Sequence, residues 1–209
     1  EESALQAFAV GASGYLPKRY VETKLGPTLQ SILASLKKQR TMSRMVERLK
    51  RYDAQIECES NASLVPHLIE FIQDRMAQLG LCDEESKWTV GIALEEALLN
   101  GIYHGNLGLS SDLKQDGSNR FHEEAEARMH REPYCKRRLH VDVHLDRDRA
   151  RFVIRDEGPG FDISKLNDCT SEEGLEKASG RGILMIRSFM DEVLYNAKGN
   201  EITLIKKKQ

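Results

Sequence analysis

Three polar residues, Glu96, Asn100 and His104, recur at intervals of four in a segment that is otherwise rich in apolar residues. Positions four apart lie on one face of a helix, so the three side chains are expected to form a polar stripe. A lone stripe of this kind is most often a solvated surface, but apolar residues crowd this one on both sides and indicate a cleft. An asparagine oxygen is a hard ligand suited to Mg²⁺, and a carboxylate one turn away can orient or deprotonate an attacking hydroxyl.

A second polar element, the sequence DEGPG at residues 156–160, follows a predicted strand. Asp156 shares a strand face with Phe152 and Ile154, which places its carboxylate at the rim of an apolar cavity. An acid in that position costs free energy unless it is hydrogen-bonded, and the exocyclic amine of a purine would satisfy it. Gly158 and Gly160 permit tight turns and close approach of a ligand. Taken alone, the stretch also fits an ordinary glycine-rich turn.

The third element is Ser179-Gly180-Arg181-Gly182, and we predict that a helix begins at Gly182. Backbone N–H groups at the start of a helix attract phosphate, and Arg181 can add a charge-assisted contact. A plain entry loop would have the same composition. The order of the three elements within about 90 residues is the stronger signal, and it indicates a nucleotide site.

The elements that carry these residues predict an α+β fold. Asn61 and Asp83 are expected to cap helices, and a further helix is predicted at residues 120–130 within a polar insertion at 107–137. Alternating apolar residues predict strands at 54–60, 139–145, 150–156, 193–196 and 201–205. Short links between strands require antiparallel pairing. We therefore predict a two-layer α/β sandwich, with helices on one face of a mixed, mostly antiparallel sheet.

Three regions follow one another along the chain. Residues 1–39 contain a helix expected after Gly26-Pro27, and residues 40–53 are expected to form a basic helical linker. Residues 54–209 carry the pattern of a complete domain.

Composition excludes several classes of function. No run of 18 apolar residues is present, so we expect no membrane span, and the net charge of −2 gives no argument for direct binding to nucleic acid. The four cysteines, Cys58, Cys82, Cys135 and Cys169, form no C-x-x-C pair. We expect reduced thiols and a cytoplasmic location.

The motifs resemble those of a known family. Residues 93–106 (ALEEALLNGIYHGN) look like the N box of the GHKL ATPases, residues 156–160 match their first glycine box, and residues 180–182 match their second. The resemblance covers about residues 54–209 and implies the Bergerat form of the α/β sandwich, with ATP and Mg²⁺ as cofactors.

The resemblance implies a role for each matching position. Glu96 would be the catalytic base, Asn100 the Mg²⁺ ligand and Asp156 the adenine contact, with His104 beside them. The remaining cofactor-binding positions would be Gly158, Gly160, Ser179, Gly180, Arg181, Gly182 and Thr203. The usual Gly-Thr near the last strand is replaced here by Gly199-Asn200, which leaves Thr203 as the nearby hydroxyl.

Within the superfamily the chain is most similar to the anti-sigma-factor serine/threonine kinases. This similarity implies an ATP-dependent protein kinase whose substrate is an anti-sigma-antagonist type of protein, with a sigma factor as a second candidate partner. Residues 11–18 resemble the last strand of a response-regulator receiver domain, and Lys18 resembles its phosphate-sensing lysine. Residues 1–39 would then be the C-terminal fragment of a receiver.

Two other functions stay open. The chain can be the ATP-binding half of a histidine kinase, which requires an accessible phosphoacceptor; His67 is the candidate, although we expect it to be partly packed. It can also be a non-catalytic module that sequesters a partner in response to nucleotide. The sequence leaves open whether the chain forms a homodimer.

Overall fold

The computed structural model describes residues 16–46, 48–110, 113, 119–166 and 178–208. The chain divides into two units, Glu1–Arg48 and Leu49–Gln209. Most of the predicted receiver strand, residues 11–15, lies outside the described residues, as does Cys169. The other three cysteines are free thiols, and no helix among the described residues is both long and apolar enough to cross a membrane.

The first unit contains a long helix. A 3₁₀ turn at Lys18–Tyr20 leads into α1, Val21–Val46. The helix begins before Gly26-Pro27, not after it, because Val21 and Leu25 continue the four-residue spacing of Leu29 toward the N-terminus. It ends at Val46, so the predicted helical linker at 40–53 is too long at its C-terminal end.

A five-stranded sheet forms one layer of the second unit. Its strands are β1 Arg51–Glu59, β2 Arg138–Asp146, β3 Arg149–Arg155, β4 Glu192–Tyr195 and β5 Glu201–Lys207. Their order across the sheet is β1-β2-β3-β5-β4. Each of the four pairings among the described strands is antiparallel, so the sheet is not mixed as predicted. The short links of the β2–β3 and β4–β5 hairpins require antiparallel pairing, and the β1–β2 and β3–β5 pairs, which are joined by long connections, are antiparallel as well.

The first strand starts at Arg51, three residues before the predicted start. Arg51 pairs with Asp146 and Asp53 pairs with His144 across β2. The Asp53 carboxylate accepts hydrogen bonds from the Arg51 guanidinium and from His144 Nδ1, and these bonds lower the pKa of Asp53 to about 2. Pairing with β2 therefore extends the strand to Arg51, although the side chains of Arg51 and Asp53 are polar.

Helices form the second layer. They are α2 Val65–Gln78, α3 Glu84–Asn100, α4 Arg120–Met129 and α5 Ala178–Phe189. Short 3₁₀ turns occur at Ala62–Leu64, Tyr134–Lys136 and Ile163–Leu166. The predicted cap of α3 is confirmed, because Asp83 accepts from Ser86 N at 2.8 Å. Asn61 accepts from Ser63 N at 2.9 Å and caps the 3₁₀ turn that leads into α2, not α2 itself.

The core lies between the sheet and helices α2, α3 and α5. The fully buried side chains there include Ile72, Leu94, Phe152, Ile186 and Leu204. Alternate residues of β2 are buried along its whole length, as expected for a sheet covered on one face. The α+β prediction, with helices on one face of the sheet, is confirmed.

The helix that carries the polar stripe changes its winding at its end. α3 is followed directly by a π-helix, Gly101–Asn106, where we predicted a continuous α-helix to about His104. The wider turn matters because π-helical segments are frequent at functional sites, and this one ends at Asn106, which is completely buried.

Candidate functional site

Helix α3 fixes the direction of the first two candidate residues. Its apolar face, which includes Val90, Leu94 and Leu98, is buried in the core, and Glu96 and Asn100 are half-buried beside it. Neither polar side chain has a hydrogen-bond or ion-pair partner among the described residues. Because both side chains are only partly buried, their oxygen atoms are open to water or to a ligand.

The first turns of α5 lie against Glu96. α5 packs on α3, and Gly182 lies so close to Glu96 that a Cβ added at Gly182 would overlap Glu96 Oε2. The predicted start of the helix at Gly182 is wrong: the helix includes Ala178, Ser179 and Gly180. Its unpaired N–H groups therefore belong to the turn that begins at Ala178, and Gly182 instead provides room for the Glu96 carboxylate. The Arg181 side chain is exposed beside this turn.

His104 is held by the loop that follows it. Its Nδ1 lies 2.6 Å from the carbonyl oxygen of Leu109, and because that oxygen only accepts, Nδ1 must carry the proton. The ring also lies 6.4 Å from the ring of Phe121 on α4. This contact makes His104 an anchor of the inserted segment, a role that the polar stripe did not predict.

Asp156 follows β3 on the same side of the sheet as Ile154. Its Oδ1 accepts from Gly158 N at 2.8 Å, and Oδ2 has no hydrogen-bond partner among the described residues. Burial raises the pKa of the Asp156 carboxyl, while the Gly158 bond opposes that effect. A Cβ at Gly105 would lie 2.6 Å from both carboxylate oxygens, so the π-helix backbone closes directly on the acid.

The loop after Asp156 packs backbone to backbone on the turn between β4 and β5. Gly160 has φ +78°, and a Cβ there would overlap the Lys198 carbonyl oxygen. Gly199 makes the reciprocal contact with the Phe161 carbonyl oxygen. The prediction that Gly160 shapes the site agrees with this approach, because only glycine fits without displacing the turn.

Thr203 does not join this site. It pairs with Val153 on β3, and directly paired residues share a face of the sheet. Val153 alternates with Phe152 and Ile154, which face the core, so Thr203 faces away from the helices and from Asp156. The prediction that Thr203 contacts the cofactor is wrong, because its odd position in the strand places it on the other face.

Two asparagines hold Asp156, and sequence reasoning assigned a role to neither. Asn200 Nδ2 donates to the Asp156 carbonyl oxygen at 2.7 Å, and Asp156 N donates back to the Asn200 carbonyl oxygen at 3.0 Å. Asn106 Oδ1 accepts from Glu157 N at 2.8 Å. The one visible signal for this role was that Asn200 replaces the usual threonine. That signal gave the type of residue but not the group it contacts.

These parts define what the site can do. Glu96 offers carboxylate oxygens beside the first turns of α5, and Asn100 offers an amide oxygen one turn further along α3. The N–H groups at the start of α5 can donate hydrogen bonds to phosphate oxygens. Asp156 offers a partly desolvated carboxylate oxygen to a donor such as an exocyclic amine. The described residues contain no group of three or more His, Cys, Asp or Glu side chains able to hold a metal ion. A metal at Asn100 would therefore take its other ligands from phosphate and water.

Comparison with known proteins agrees with this geometry. The model of the histidine kinase-like ATPase domain matches residues 58–206. A search of curated proteins found no match. Because the family model covers most of the chain, the protein belongs to the histidine kinase-like ATPase family, whose fold is of the GHKL type. It is therefore an ATP-binding protein of the signalling class.

Proposed function

We propose that this chain is a protein kinase that transfers the γ-phosphoryl group of ATP to a serine or threonine of a small switch protein, of the anti-sigma-antagonist type. The observation that carries the proposal is the pair of half-buried side chains Glu96 and Asn100, one turn apart on α3 and without a partner among the described residues, of which the Glu96 carboxylate lies against Gly182. A pair that served only stability would be matched to neighbours.

Each residue has a distinct task under this proposal. Glu96 accepts the proton of the attacking hydroxyl, and the absence of a Cβ at Gly182 leaves its carboxylate free to reach the substrate. Asn100 would hold Mg²⁺, which supplies neutralisation of phosphate charge when it is bound. The start of α5 receives phosphate oxygens, and Asp156 accepts a hydrogen bond from the adenine amine.

The proposal is tested by label transfer from γ-labelled ATP to a purified protein of the anti-sigma-antagonist type. Glu96→Gln should slow transfer by about 10²–10⁴-fold, the contribution typical of a general base, with the Kd for ATP within about twofold of wild type. Glu95→Gln is the matched control, since Glu95 is the adjacent carboxylate and is exposed.

Equal transfer by wild type and Glu96→Gln would remove the base assignment. If the partner binds in a nucleotide-dependent way with no transfer from any variant, the chain is a nucleotide-gated binding module instead of a kinase.

One observation supports a second candidate function, the ATP-binding half of a histidine kinase. We expected His67 to be partly packed, but it is exposed on α2, and Glu70 lies on the next turn of the same helix. Incubation with labelled ATP followed by acid treatment separates the two functions. An acid-labile label that is lost in His67→Gln would favour the histidine kinase.

We also propose that the N-terminal unit is the end of a receiver domain that regulates the kinase. The support is the sequence of residues 11–18, followed by the long helix α1. Lys18 is exposed at the start of the 3₁₀ turn. Transfer by the full-length protein with and without a small-molecule phosphodonor tests this assignment, and an unchanged rate would contradict it.

A further inference from the structure

A single peptide group, the one that joins Asp156 to Glu157, is held at both of its polar atoms by asparagine side chains. Its carbonyl oxygen accepts from Asn200 Nδ2 at 2.7 Å, and its N–H donates to Asn106 Oδ1 at 2.8 Å. Peptide groups in loops are more often bonded to other backbone groups or to water. This one is gripped from two sides by side chains from distant parts of the chain.

The two asparagines belong to different halves of the site. Asn106 is the last residue of the π-helix that continues from Asn100, and it is completely buried. Asn200 immediately precedes β5 and is 8% exposed. The peptide group therefore links the helix that carries the proposed metal ligand to the turn between β4 and β5, beside the proposed purine contact.

Each asparagine is itself held in place. Asn200 Oδ1 accepts from Asn196 Nδ2 at 2.9 Å, and Asn196 Oδ1 accepts from Gly199 N at 2.8 Å. On the other side, the Asn106 carbonyl oxygen accepts from Arg137 Nη1 at 2.7 Å. Neither side chain can rotate without breaking bonds, so the peptide plane is fixed in a rigid frame.

One atom of this arrangement is unsatisfied. Asn106 Nδ2 is buried and has no hydrogen-bond partner in the part of the chain that the structure describes. A buried donor without a partner costs free energy, and a leucine of similar size would avoid that cost. The asparagine is therefore better explained by what its Oδ1 holds than by its own contribution to stability.

We propose that Asn106 and Asn200 act together as a clamp on this peptide plane, here named the asparagine clamp, and that the clamp positions Asp156 for the amine of adenine. The inference rests on the proposed function. Rotation of the plane would change ψ of Asp156 and φ of Glu157, which redirects the carboxylate and the Gly158 N–H that binds it. The clamp prevents that rotation, so both asparagines are positioning residues that set selectivity for the base.

The test compares ATP with inosine triphosphate, which carries a carbonyl oxygen where adenine carries its amine. A fixed carboxylate accepts from the amine and repels the carbonyl, so wild type should bind ATP more tightly. We compare the ratio of the Kd for inosine triphosphate to the Kd for ATP. Asn106→Leu and Asn200→Leu should each lower this ratio by about tenfold, because a mobile carboxylate can turn away from the carbonyl. A purely structural defect would weaken both nucleotides alike and leave the ratio unchanged.

Trp88 provides the readout, since it is the one tryptophan of the chain and its ring lies 6.3 Å from that of Phe189 on α5. Gln73→Leu is the matched control. Gln73 Nε2 donates to the Lys87 carbonyl oxygen at 2.8 Å, so its loss removes the same type of bond between other elements, and the ratio should stay at the wild-type value.

The double variant Asn106→Leu/Asn200→Leu sharpens the test. Because both residues act on one plane, the ratio in the double variant should be close to that of the single variants, and their effects should not multiply. If a leucine variant fails to fold, Asn200→Ser takes its place, because the serine hydroxyl is too short to reach the Asp156 carbonyl from the same backbone.

The outcomes separate the two proposals. A wild-type protein that binds neither nucleotide contradicts the proposed function. A wild-type protein that discriminates, together with an Asp156→Asn variant that does not, upholds the proposed purine contact. If the clamp variants then keep the wild-type ratio, or if their effects multiply in the double variant, the clamp is overturned and the purine contact stands.

Discussion

The proposed phosphate side and the proposed purine side of the candidate site differ in how their polar groups are paired. On the phosphate side, Glu96 and Asn100 have no partners among the described residues. On the purine side, hydrogen bonds hold the backbone of Asp156 from two directions, and Asp156 Oδ2 alone is left for a ligand. The comparison teaches that unpaired groups mark where chemistry can occur, whereas paired groups mark where geometry must be kept.

The difference has an energetic meaning. Groups that await a ligand contribute little to the stability of the free protein, so their removal should affect function alone. Groups inside a hydrogen-bonded frame contribute to both, because a lost partner leaves a buried polar atom unsatisfied. Measurements of folding and function on the same variants can therefore test which side each residue belongs to.

After Glu96→Gln, the largest effect is expected from Gly182→Ala. The added methyl group would overlap the Glu96 carboxylate, so either the carboxylate or the start of α5 must move. We expect phosphoryl transfer to fall by about 10²-fold, the cost of misplacing a reacting group by about 1 Å. The free energy of unfolding should stay within about 1 kcal/mol of wild type, because the flexible Glu96 side chain can move aside and alanine favours the helix over glycine.

Gly26→Ala is the control for that variant, because no atom lies within 4 Å of a Cβ built at Gly26. It should leave transfer unchanged. Wild-type transfer by Gly182→Ala would show that Glu96 does not need the space that the glycine leaves, and it would separate α5 from the chemistry.

Asp156→Asn should give opposite effects on binding and stability. The Kd for ATP should rise about 10- to 100-fold, because a charge-assisted hydrogen bond is lost. The free energy of unfolding without ligand should rise by about 1 kcal/mol at neutral pH, because a partly desolvated charge is removed. Titration calorimetry and thermal melts measure the two quantities.

The pH dependence of the same variant gives an independent check. The pKa of Asp156 is raised in the folded state, so the folded protein binds the proton more tightly than the unfolded chain does. The contribution of Asp156 to the stability of the wild type therefore falls as pH rises from about 4 through the folded pKa, and the gap between variant and wild type should open over that window. A gap that is constant with pH would contradict desolvation as the cause.

The smallest effect is expected from Asn100→Ala. Its side chain has no partner in the described residues, and alanine favours the helix, so the free energy of unfolding should stay within about 0.5 kcal/mol of wild type. Transfer should nevertheless require more Mg²⁺. A loss of stability as large as that of Asn200→Ala would show that Asn100 belongs to the paired frame, and the comparison between the two sides would fail.

Local signals made much of the fold predictable. The caps at Asn61 and Asp83 and the alternation of β2 depend on neighbours in sequence, so their residues alone revealed them. The stripe of Glu96 and Asn100 was predictable for the same reason, because positions four apart on a helix share a face.

The asparagine clamp was not predictable from the sequence. Asn106 and Asn200 act on a peptide group 51 and 44 residues away, and no local pattern encodes such pairings. Thr203 was assigned to the site because it has a hydroxyl group. The face of the sheet on which it lies is set by its pairing with Val153, which the local sequence does not show. The start of α5 was placed too late because two glycines weaken helix propensity, while packing on α3 overrides it.

The π-helix at Gly101–Asn106 fixes the number of residues between Asn100, the proposed metal ligand, and Asn106, which holds the loop after Asp156. Shortening it by one residue would either replace its i→i+5 hydrogen bonds with α-helical ones or turn Asn106 around the axis, away from the loop it holds. Variation along the chain should therefore favour substitutions over insertions or deletions within these six residues. An alignment that tolerates a gap there would join chains whose binding sites are assembled differently.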